Sequence, residues 1–216
     1  MPEGKQEGPP RCDVDDSPPC DDIRMSLSTP TLATERLILR PFTDADADDI
    51  YALQSDAEVL RYWDSPPCTE RAEADRFLER CRTLAEEGSG VRLVLEDKND
   101  GAFLGWIMVG GWNPTFRSAS IGYCLGKSAW GHGYTAEAAR AVLDWAFDAF
   151  EGLNRVEGEA DTRNMPSRRV LEKLGFTLEG TKREDCIVDG VVSDTWIMSL
   201  LRREWPTASS PDSETP

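Results

Sequence analysis

The chain has 216 residues, of which 40 are acidic and 24 basic, so its formal net charge at pH 7 is −16. A charge of this sign repels phosphates, and direct nucleic-acid binding is therefore not expected. Six cysteines are scattered without a CxxC pair and His132 is the only histidine, so neither a metal site nor a disulfide framework is expected.

Length and composition predict a single domain with unstructured ends. A chain of this length suits one well-packed core and is short for two. Residues 1–29 and 206–216 hold few apolar side chains, so we expect disordered extensions around a domain over 30–205. No apolar run suits a membrane-spanning helix or a signal peptide, and we therefore expect a cytoplasmic protein that does not bind membranes.

The first half of the chain contains strand-like and helix-like segments. Thr43 and Thr69 are typical helix caps, and the Asp100-Gly101 dipeptide is a strong hairpin signal. With these signals, hydrophobic spacing predicts strands over 35–40, 91–96, 102–110 and 119–125, a short helix after Thr43, a brief helical piece over 57–62, and a helix from Thr69 to Gly88.

The second half begins with a long helix, because apolar side chains from Ala139 to Phe150 fall at the spacing of one buried stripe. After it, the pattern predicts a strand over 154–161, a helix over 166–174 and a hairpin of strands 178–188 and 191–201. Antiparallel strands with helices between them, without a strict strand-helix repeat, indicate an α+β domain with a mixed sheet.

The segment Trp130-Gly131-His132-Gly133-Tyr134-Thr135-Ala136 lies between the strand at 119–125 and the long helix. Glycines permit backbone angles closed to other residues and let the main chain approach a ligand. The first N–H groups and the positive end of the helix favour an anion. We therefore predict a pyrophosphate seat, although the segment lacks the Gly-Lys-Ser/Thr ending of a Walker loop and the third glycine of the dinucleotide fingerprint.

The helix over 166–174 is the second informative segment. Asn164 precedes its start, Pro166 suits its first turn, and Gly175 ends it. Its basic face is unusual in so acidic a chain and is suited to lie near phosphates; it consists of Arg168, Arg169 and Lys173.

These features occur in order: a strand ending in Gly122-Tyr123, the glycine loop, and an Asn164-x-x-Ser167 helix that closes with Lys173-Leu174-Gly175-Phe176. In this combination the chain resembles, over about residues 31–205, the GNAT superfamily of acetyl-CoA-dependent N-acetyltransferases. The Thr34–Pro41 and Leu153–Glu157 segments are similar to one branch, the ribosomal-protein N-terminal acetyltransferases of the RimJ/RimL type.

The resemblance implies a strongly bent mixed sheet flanked by helices, in which the fourth and fifth predicted strands, 119–125 and 154–161, splay apart. It also implies acetyl-CoA as cosubstrate between these strands, with Asn164 facing the pantetheine arm. The residues implied to bind it through the main chain are Tyr123, Cys124 and Leu125 for the pantetheine, and Gly131, His132, Gly133, Tyr134 and Thr135 for the pyrophosphate.

The resemblance further implies a catalytic assignment. Many members carry a tyrosine general acid on the Asn-containing helix, but Leu171 occupies that position here. Ser167 is the substitute that the RimL-like pattern implies, and the alternative is that this serine only bonds the first helical turn. Backbone N–H groups near Cys124 and Leu125 suit the oxyanion. We expect the Cys124 side chain to pack in the core, since no second histidine exists to activate it.

The sequence leaves the general base open. The glutamate that members often carry on the fourth strand corresponds to Ser120. Water is also sufficient as the proton acceptor for an α-amine, because the pKa of an α-amine is near 8. The candidate carboxylates are Glu157, Glu159 and Asp161 in the next strand and Glu184 and Asp185 in the last hairpin.

The function implied is direct attack of a primary amine on acetyl-CoA, foremost the α-amine of a protein N-terminus, such as that of a ribosomal protein. A small cationic amine, either a polyamine or an aminoglycoside, is an alternative because an acidic surface attracts both kinds of acceptor. A noncatalytic acetyl-CoA sensor is another, because the tyrosine and the glutamate are missing. We expect acceptor selectivity in the loops 63–67 and 112–117, and the sequence leaves monomer and dimer equally open.

Overall fold

The computed structural model describes residues 27–206. The segments predicted to be disordered, 1–29 and 206–216, therefore lie outside the described residues apart from 27–29 and Pro206, and the domain boundaries stay predictions. Within the described part, no helix is long and apolar enough to cross a membrane.

Eight strands and four α-helices form the described domain, together with three short 3-10 helices. The strands are β1 (Leu32–Ala33), β2 (Leu37–Pro41), β3 (Val91–Asp97), β4 (Phe103–Asn113), β5 (Ser118–Leu125), β6 (Arg155–Asp161), β7 (Thr177–Val188) and β8 (Val191–Leu201). The helices are α1 (Ala47–Ser55), α2 (Ala72–Glu86), α3 (Tyr134–Ala149) and α4 (Met165–Lys173).

Most predicted elements are confirmed to within a few residues, but the helical piece predicted over 57–62 is wrong. This segment forms hydrogen-bonded turns. The Leu60 N–H donates to the Asp56 carbonyl at 3.0 Å, as in an α-helix. The next donor, the Arg61 N–H, reaches back only three residues, so one turn forms and does not continue as a helix. The apolar side chains of Val59 and Leu60 still pack against the core, which explains their helix-like spacing.

The start of the second helix also differs from the prediction. Helix α2 begins at Ala72 and Thr69 does not cap it. Instead, the Glu73 carboxylate accepts the N–H groups of Thr69 and Glu70 at 2.9 and 3.1 Å. A side chain inside the helix therefore satisfies two N–H groups of the segment before it, and no side chain caps the helix.

All eight strands form one sheet in the order β1-β2-β3-β4-β5-β6-β8-β7, and only the β5–β6 pair is parallel. Hydrophobic cores lie on both faces of the sheet. One core holds side chains of α3 and α4, such as Leu143 and Leu171, and the other holds side chains of α1 and α2, such as Ile50 and Phe77. This architecture confirms the α+β class with a mixed sheet.

Strands β5 and β6 pair only over their first halves. Their parallel pairing ends at Ile121 and Gly158. Beyond this point β5 stays paired with β4 as far as Leu125, while β6 stays paired with β8 as far as Asp161. The two strands therefore diverge, which confirms the predicted splay and leaves a gap in the middle of the sheet.

A buried ion pair before α1 gives a stability prediction. Asp46 is 3% exposed and accepts hydrogen bonds from Arg40 at 2.7 and 3.0 Å and from Thr43 at 2.7 and 2.9 Å. Burial alone would raise the pKa of Asp46. The hydrogen bonds from Arg40 and Thr43 outweigh burial and hold that pKa below its ordinary value.

We expect Asp46→Asn to lower the free energy of unfolding near pH 7 by about 2 kcal/mol, because Arg40 loses a partner that is almost fully buried. A carboxylate with a depressed pKa stabilises the fold above its unfolded-state pKa of about 4. The difference between wild type and variant should therefore shrink as the pH falls through the folded-state pKa. Urea unfolding at the two pH extremes measures both effects. The control is Asp48→Asn at the exposed pair with Arg71, and an equal loss there would contradict the assignment.

Candidate active site

The glycine loop between β5 and α3 has the conformation that an anion seat requires. Gly131 and Gly133 lie in the left-handed region with φ of 77° and 81°, and Gly133 is the N-cap of α3. From Gly131 to Thr135, no backbone N–H donates to a main-chain carbonyl within residues 27–206. These free donors stand at the positive end of a 16-residue helix, where an anion is favoured.

A charged network that the sequence did not reveal fixes this loop. The Arg36 guanidinium donates to the His132 carbonyl at 3.0 Å and to the Glu137 carboxylate at 2.7 Å, and it lies 4.6 Å from the centre of the Tyr134 ring. Thr34 donates to the same carboxylate at 2.6 Å. Because the Glu137 carboxylate is paired with Arg36, it repels an anion at the loop less strongly than an unpaired carboxylate would.

A cavity of about 400 Å³, the sheet cavity, occupies the gap between β5 and β6. On one side it is lined by Tyr123 and Leu171, which belong to the core under α3 and α4. On the other side it is lined by Trp63, which packs in the core under α1 and α2. The sheet cavity therefore connects the two faces of the sheet, so that two ligands can meet in it from opposite faces.

Asn164, Ser167 and Tyr123 meet at one wall of the sheet cavity. The Asn164 side chain accepts the backbone N–H of Ser167 at 3.1 Å and so caps α4. The Ser167 hydroxyl does not take part in this cap. It lies 2.9 Å from the Tyr123 hydroxyl, and either group can donate.

Tyr123 is a candidate functional residue whose side chain the sequence reasoning missed. Burial raises its pKa to about 12, partly offset by the hydrogen bond with Ser167, so the phenol keeps its proton near neutral pH. Helix α4 carries Leu171 where the resemblance implied a tyrosine, but β5 supplies a tyrosine from the neighbouring element. No spacing signal within α4 could have shown this.

Three of the five candidate bases line the sheet cavity, namely Glu159, Asp161 and Asp185. Glu157 instead pairs with Arg155 at 2.7 Å, and Glu184 is exposed away from the cavity lining. The structure therefore reduces the candidate general bases from five to three.

These three candidate bases differ in their partners. Glu159 pairs with Lys182 at 2.5 Å, and Asp161 pairs with Arg163 at 2.6 Å. Burial would raise the pKa of Asp161, but the hydrogen bonds from Arg163 outweigh it and hold the pKa below its ordinary value. Asp185 has no ion pair among residues 27–206, so its oxygens are free to contact a ligand.

The β5 residues predicted to bind pantetheine differ in orientation. Main-chain groups alternate along a strand. The Cys124 carbonyl lies against β4, where a Cβ on Gly105 would sit 2.1 Å from it, whereas the Leu125 carbonyl accepts the indole N–H of Trp130 at 2.8 Å. Tyr123 and Leu125 therefore present main-chain groups to the gap. Cys124 is 4% exposed and burial raises the pKa of its thiol to about 12, as a packing role requires.

Only one of the two predicted rim segments borders the sheet cavity. Trp63 and Asp64 line it, but residues 112–117, the end of β4 and the turn that follows, line no part of it. Trp112 packs on Phe150, with ring centres 5.2 Å apart. The prediction that the second segment shapes the acceptor rim gains no support from this cavity and stays a prediction.

Comparison with known proteins identifies the family. Residues 36–177 match the acetyltransferase (GNAT) domain. The chain belongs to the GNAT acetyltransferase family. Among its relatives, the uncharacterized N-acetyltransferase p20 of Bacillus licheniformis is 33% identical over 175 residues, which cover 81% of this chain and 98% of that protein.

Two further relatives of this GNAT acetyltransferase have more informative names. The structure of Mycobacterium smegmatis RimJ in complex with CoA-disulfide has a TM-score of 0.73 and 27% identity, and the match covers 83% of this chain and 90% of that one. The spermidine N(1)-acetyltransferase of Escherichia coli is 23% identical over 167 residues, which cover 77% of this chain and 87% of that protein.

These findings confirm the predicted RimJ/RimL-like GNAT acetyltransferase, an acyltransferase that uses acetyl-CoA, and they remove the alternative of a noncatalytic sensor. The described residues fit acetyl-CoA. The glycine loop offers free backbone donors for a pyrophosphate, and the splayed strands leave an unpaired edge for an extended pantetheine arm.

Proposed function

We propose that this GNAT acetyltransferase acetylates the α-amine of a protein N-terminus, and that its catalytic machinery lies in the sheet cavity within a domain over 30–205. The similarity to RimJ supports this acceptor. The observation that carries the proposal is the weak basicity of the cavity lining. Among the described residues it offers carboxylates and hydroxyls but no histidine, since His132 lies in the glycine loop.

A weakly basic site suits an α-amine better than an alkylamine. The reference pKa of an α-amine is about 8 and that of a lysine amine is about 10.4, so near pH 7 roughly a tenth of the α-amine is neutral, against less than about 0.1% of the lysine amine. Asp185, directly or through a water molecule, is the proposed acceptor of the proton that this amine loses. A polyamine would require a stronger base.

Acetyl-CoA supplies the acetyl group as a thioester. The backbone donors from Gly131 to Thr135 hold its anionic end, and the Leu125 main chain borders the reacting carbonyl. The Ser167 hydroxyl, oriented by Tyr123, is the proposed proton donor to the leaving sulfur. Tyr123 is proposed as a positioning residue, because its hydroxyl contacts the Ser167 hydroxyl at 2.9 Å.

Thiol release from acetyl-CoA tests the acceptor. The panel contains peptides that begin with Ser or Ala and the same peptides with a blocked N-terminus and an internal lysine. It also contains spermidine, an aminoglycoside and a buffer control. We expect release only with the free N-termini, and fragmentation mass spectrometry should place the acetyl group on the first residue.

Other outcomes overturn the proposal in distinct ways. Release with spermidine or the aminoglycoside alone would make the protein a small-amine acetyltransferase. Equal release with blocked and free peptides would identify lysine side chains as acceptors. If no peptide causes thiol release while acetyl-CoA still binds, these N-termini are excluded as acceptors.

A further inference from the structure

A second cavity, of about 560 Å³, lies on the α1–α2 face of the sheet and is called the arginine cavity. It shares Trp63 and Asp64 with the sheet cavity. Its lining contains three arginines, although the chain has many more acidic than basic residues. They are Arg76 and Arg80 of α2 and Arg92 of β3.

Arg92 is mostly buried without a carboxylate. Its guanidinium lies 4.6 Å from the ring centres of both Phe77 and Trp106. Its acceptors are sulfur atoms, Cys81 Sγ at 3.8 Å and Met108 Sδ at 3.0 Å. Burial lowers the pKa of Arg92 from its ordinary value, since no anion among residues 27–206 offsets the loss of water.

Two polar atoms of this site are buried without any hydrogen-bond partner. They are Arg92 Nε and Trp106 Nε1, and no other buried side-chain nitrogen or oxygen in the described part of the chain lacks one. Both residues line the arginine cavity. Unpaired buried donors cost stability and are rare in folded proteins. A planar anion that draws the guanidinium toward the cavity would satisfy them.

The two cavities carry opposite charges. Asp64, which lines both cavities, and Asp185, which lines only the sheet cavity, have no cationic partner within 4 Å among the described residues. An ammonium group is therefore attracted to the sheet cavity. At the arginine cavity, Glu73 is the other acidic residue, and it is engaged with backbone N–H groups. An acceptor that spans both cavities is therefore positive at one end and negative at the other.

We propose that the arginine cavity binds a carboxylate of the acceptor, so that the preferred acceptor is a peptide with an acidic side chain close to its reactive α-amine. This inference rests on the proposed function. The two cavities are close enough for such a peptide, because the adjacent residues Tyr123 and Cys124 line one cavity each. A carboxylate matches the planar fork of one arginine, whereas a polyamine has no group for this cavity.

The first test measures carboxylate binding without catalysis. Glutarate, which has two carboxylates and no amine, is titrated calorimetrically into the full chain. We expect saturable binding that weakens at least about tenfold in Arg92→Met. Arg92→Lys, which keeps the charge but loses the fork, should be intermediate. Arg82→Met removes an exposed arginine that pairs with Asp44 outside the cavity, and this control should bind glutarate like the wild type.

The second test measures acceptor selectivity with matched peptides that differ only in Glu or Gln at the second position. We expect kcat/KM to be about tenfold higher for the Glu peptide. This ratio should fall to about one in Arg92→Met and stay unchanged in Arg82→Met.

The outcomes separate this inference from the proposed function. Equal rates for the two peptides in the wild type, glutarate binding that survives Arg92→Met, or tighter binding of inorganic phosphate than of glutarate would overturn the carboxylate site. Arg92-dependent glutarate binding without acetylation of any peptide would support the carboxylate site and overturn N-terminal acetylation.

Discussion

Replacing Gly133 with valine is expected to abolish measurable acetyl-CoA binding while the fold persists. Gly133 is the N-cap of α3 with φ of 81°, and a β-branched residue in that conformation costs on the order of 1–3 kcal/mol. A Cβ at this position would lie 3.7 Å from Nη2 of Arg36, which is an ordinary contact, so the strain comes from the backbone angle and not from a clash. Relaxation of this strain redirects the backbone donors.

Calorimetric titration with acetyl-CoA measures this effect, and we expect the Kd to rise by at least about 100-fold. The matched control is Gly190→Val at the β7–β8 turn. Gly190 has a similar φ of 77°, and a Cβ at this position would meet no atom within 4 Å. This variant therefore has the same backbone strain at a site outside the glycine loop. Thermal melting verifies that both variants fold. Unimpaired binding by Gly133→Val, or equal impairment in both, would refute the loop assignment.

The glycine loop and α3 were predictable because their signals are local. Two glycines before a long apolar stripe leave few alternatives for the backbone, and the structure places a turn and a helix there. The order of the predicted strands and helices also indicated the mixed sheet. The helix predicted over 57–62 is wrong because its backbone hydrogen bonding stops after one turn. The Leu60 N–H reaches back four residues to Asp56, but the Arg61 N–H reaches back only three.

The parts of the site that escaped prediction depend on contacts between distant segments. Arg36 and Glu137 are 101 residues apart and Tyr123 and Ser167 are 44 apart. Each pair meets only because the sheet order brings its elements together. Arg92 gives the same lesson, because its position in a strand says nothing of the two aromatic rings around it or of the missing carboxylate.

Ser167→Ala is expected to lower kcat by about 10²–10³-fold, because the proposed proton donor is lost. The acetyl-CoA Kd should stay within about twofold of the wild type. The cap of α4 survives the change, since it uses the Ser167 backbone N–H and the Asn164 side chain. Steady-state kinetics with the best acceptor, together with calorimetry, measures both quantities. Undiminished turnover would leave Ser167 with a structural role only.

A double-mutant cycle with Tyr123→Phe separates the two hydroxyl groups. Tyr123→Phe alone should lower kcat by about tenfold, because the Ser167 hydroxyl loses the partner 2.9 Å away that orients it. In the Ser167→Ala background the same change should have almost no further effect, since Tyr123 acts through Ser167. The pKa of Tyr123 is about 12, so the pH profile of kcat near neutrality should keep its shape in Tyr123→Phe. Fully additive losses, or a displaced pH profile, would instead make Tyr123 an independent proton donor.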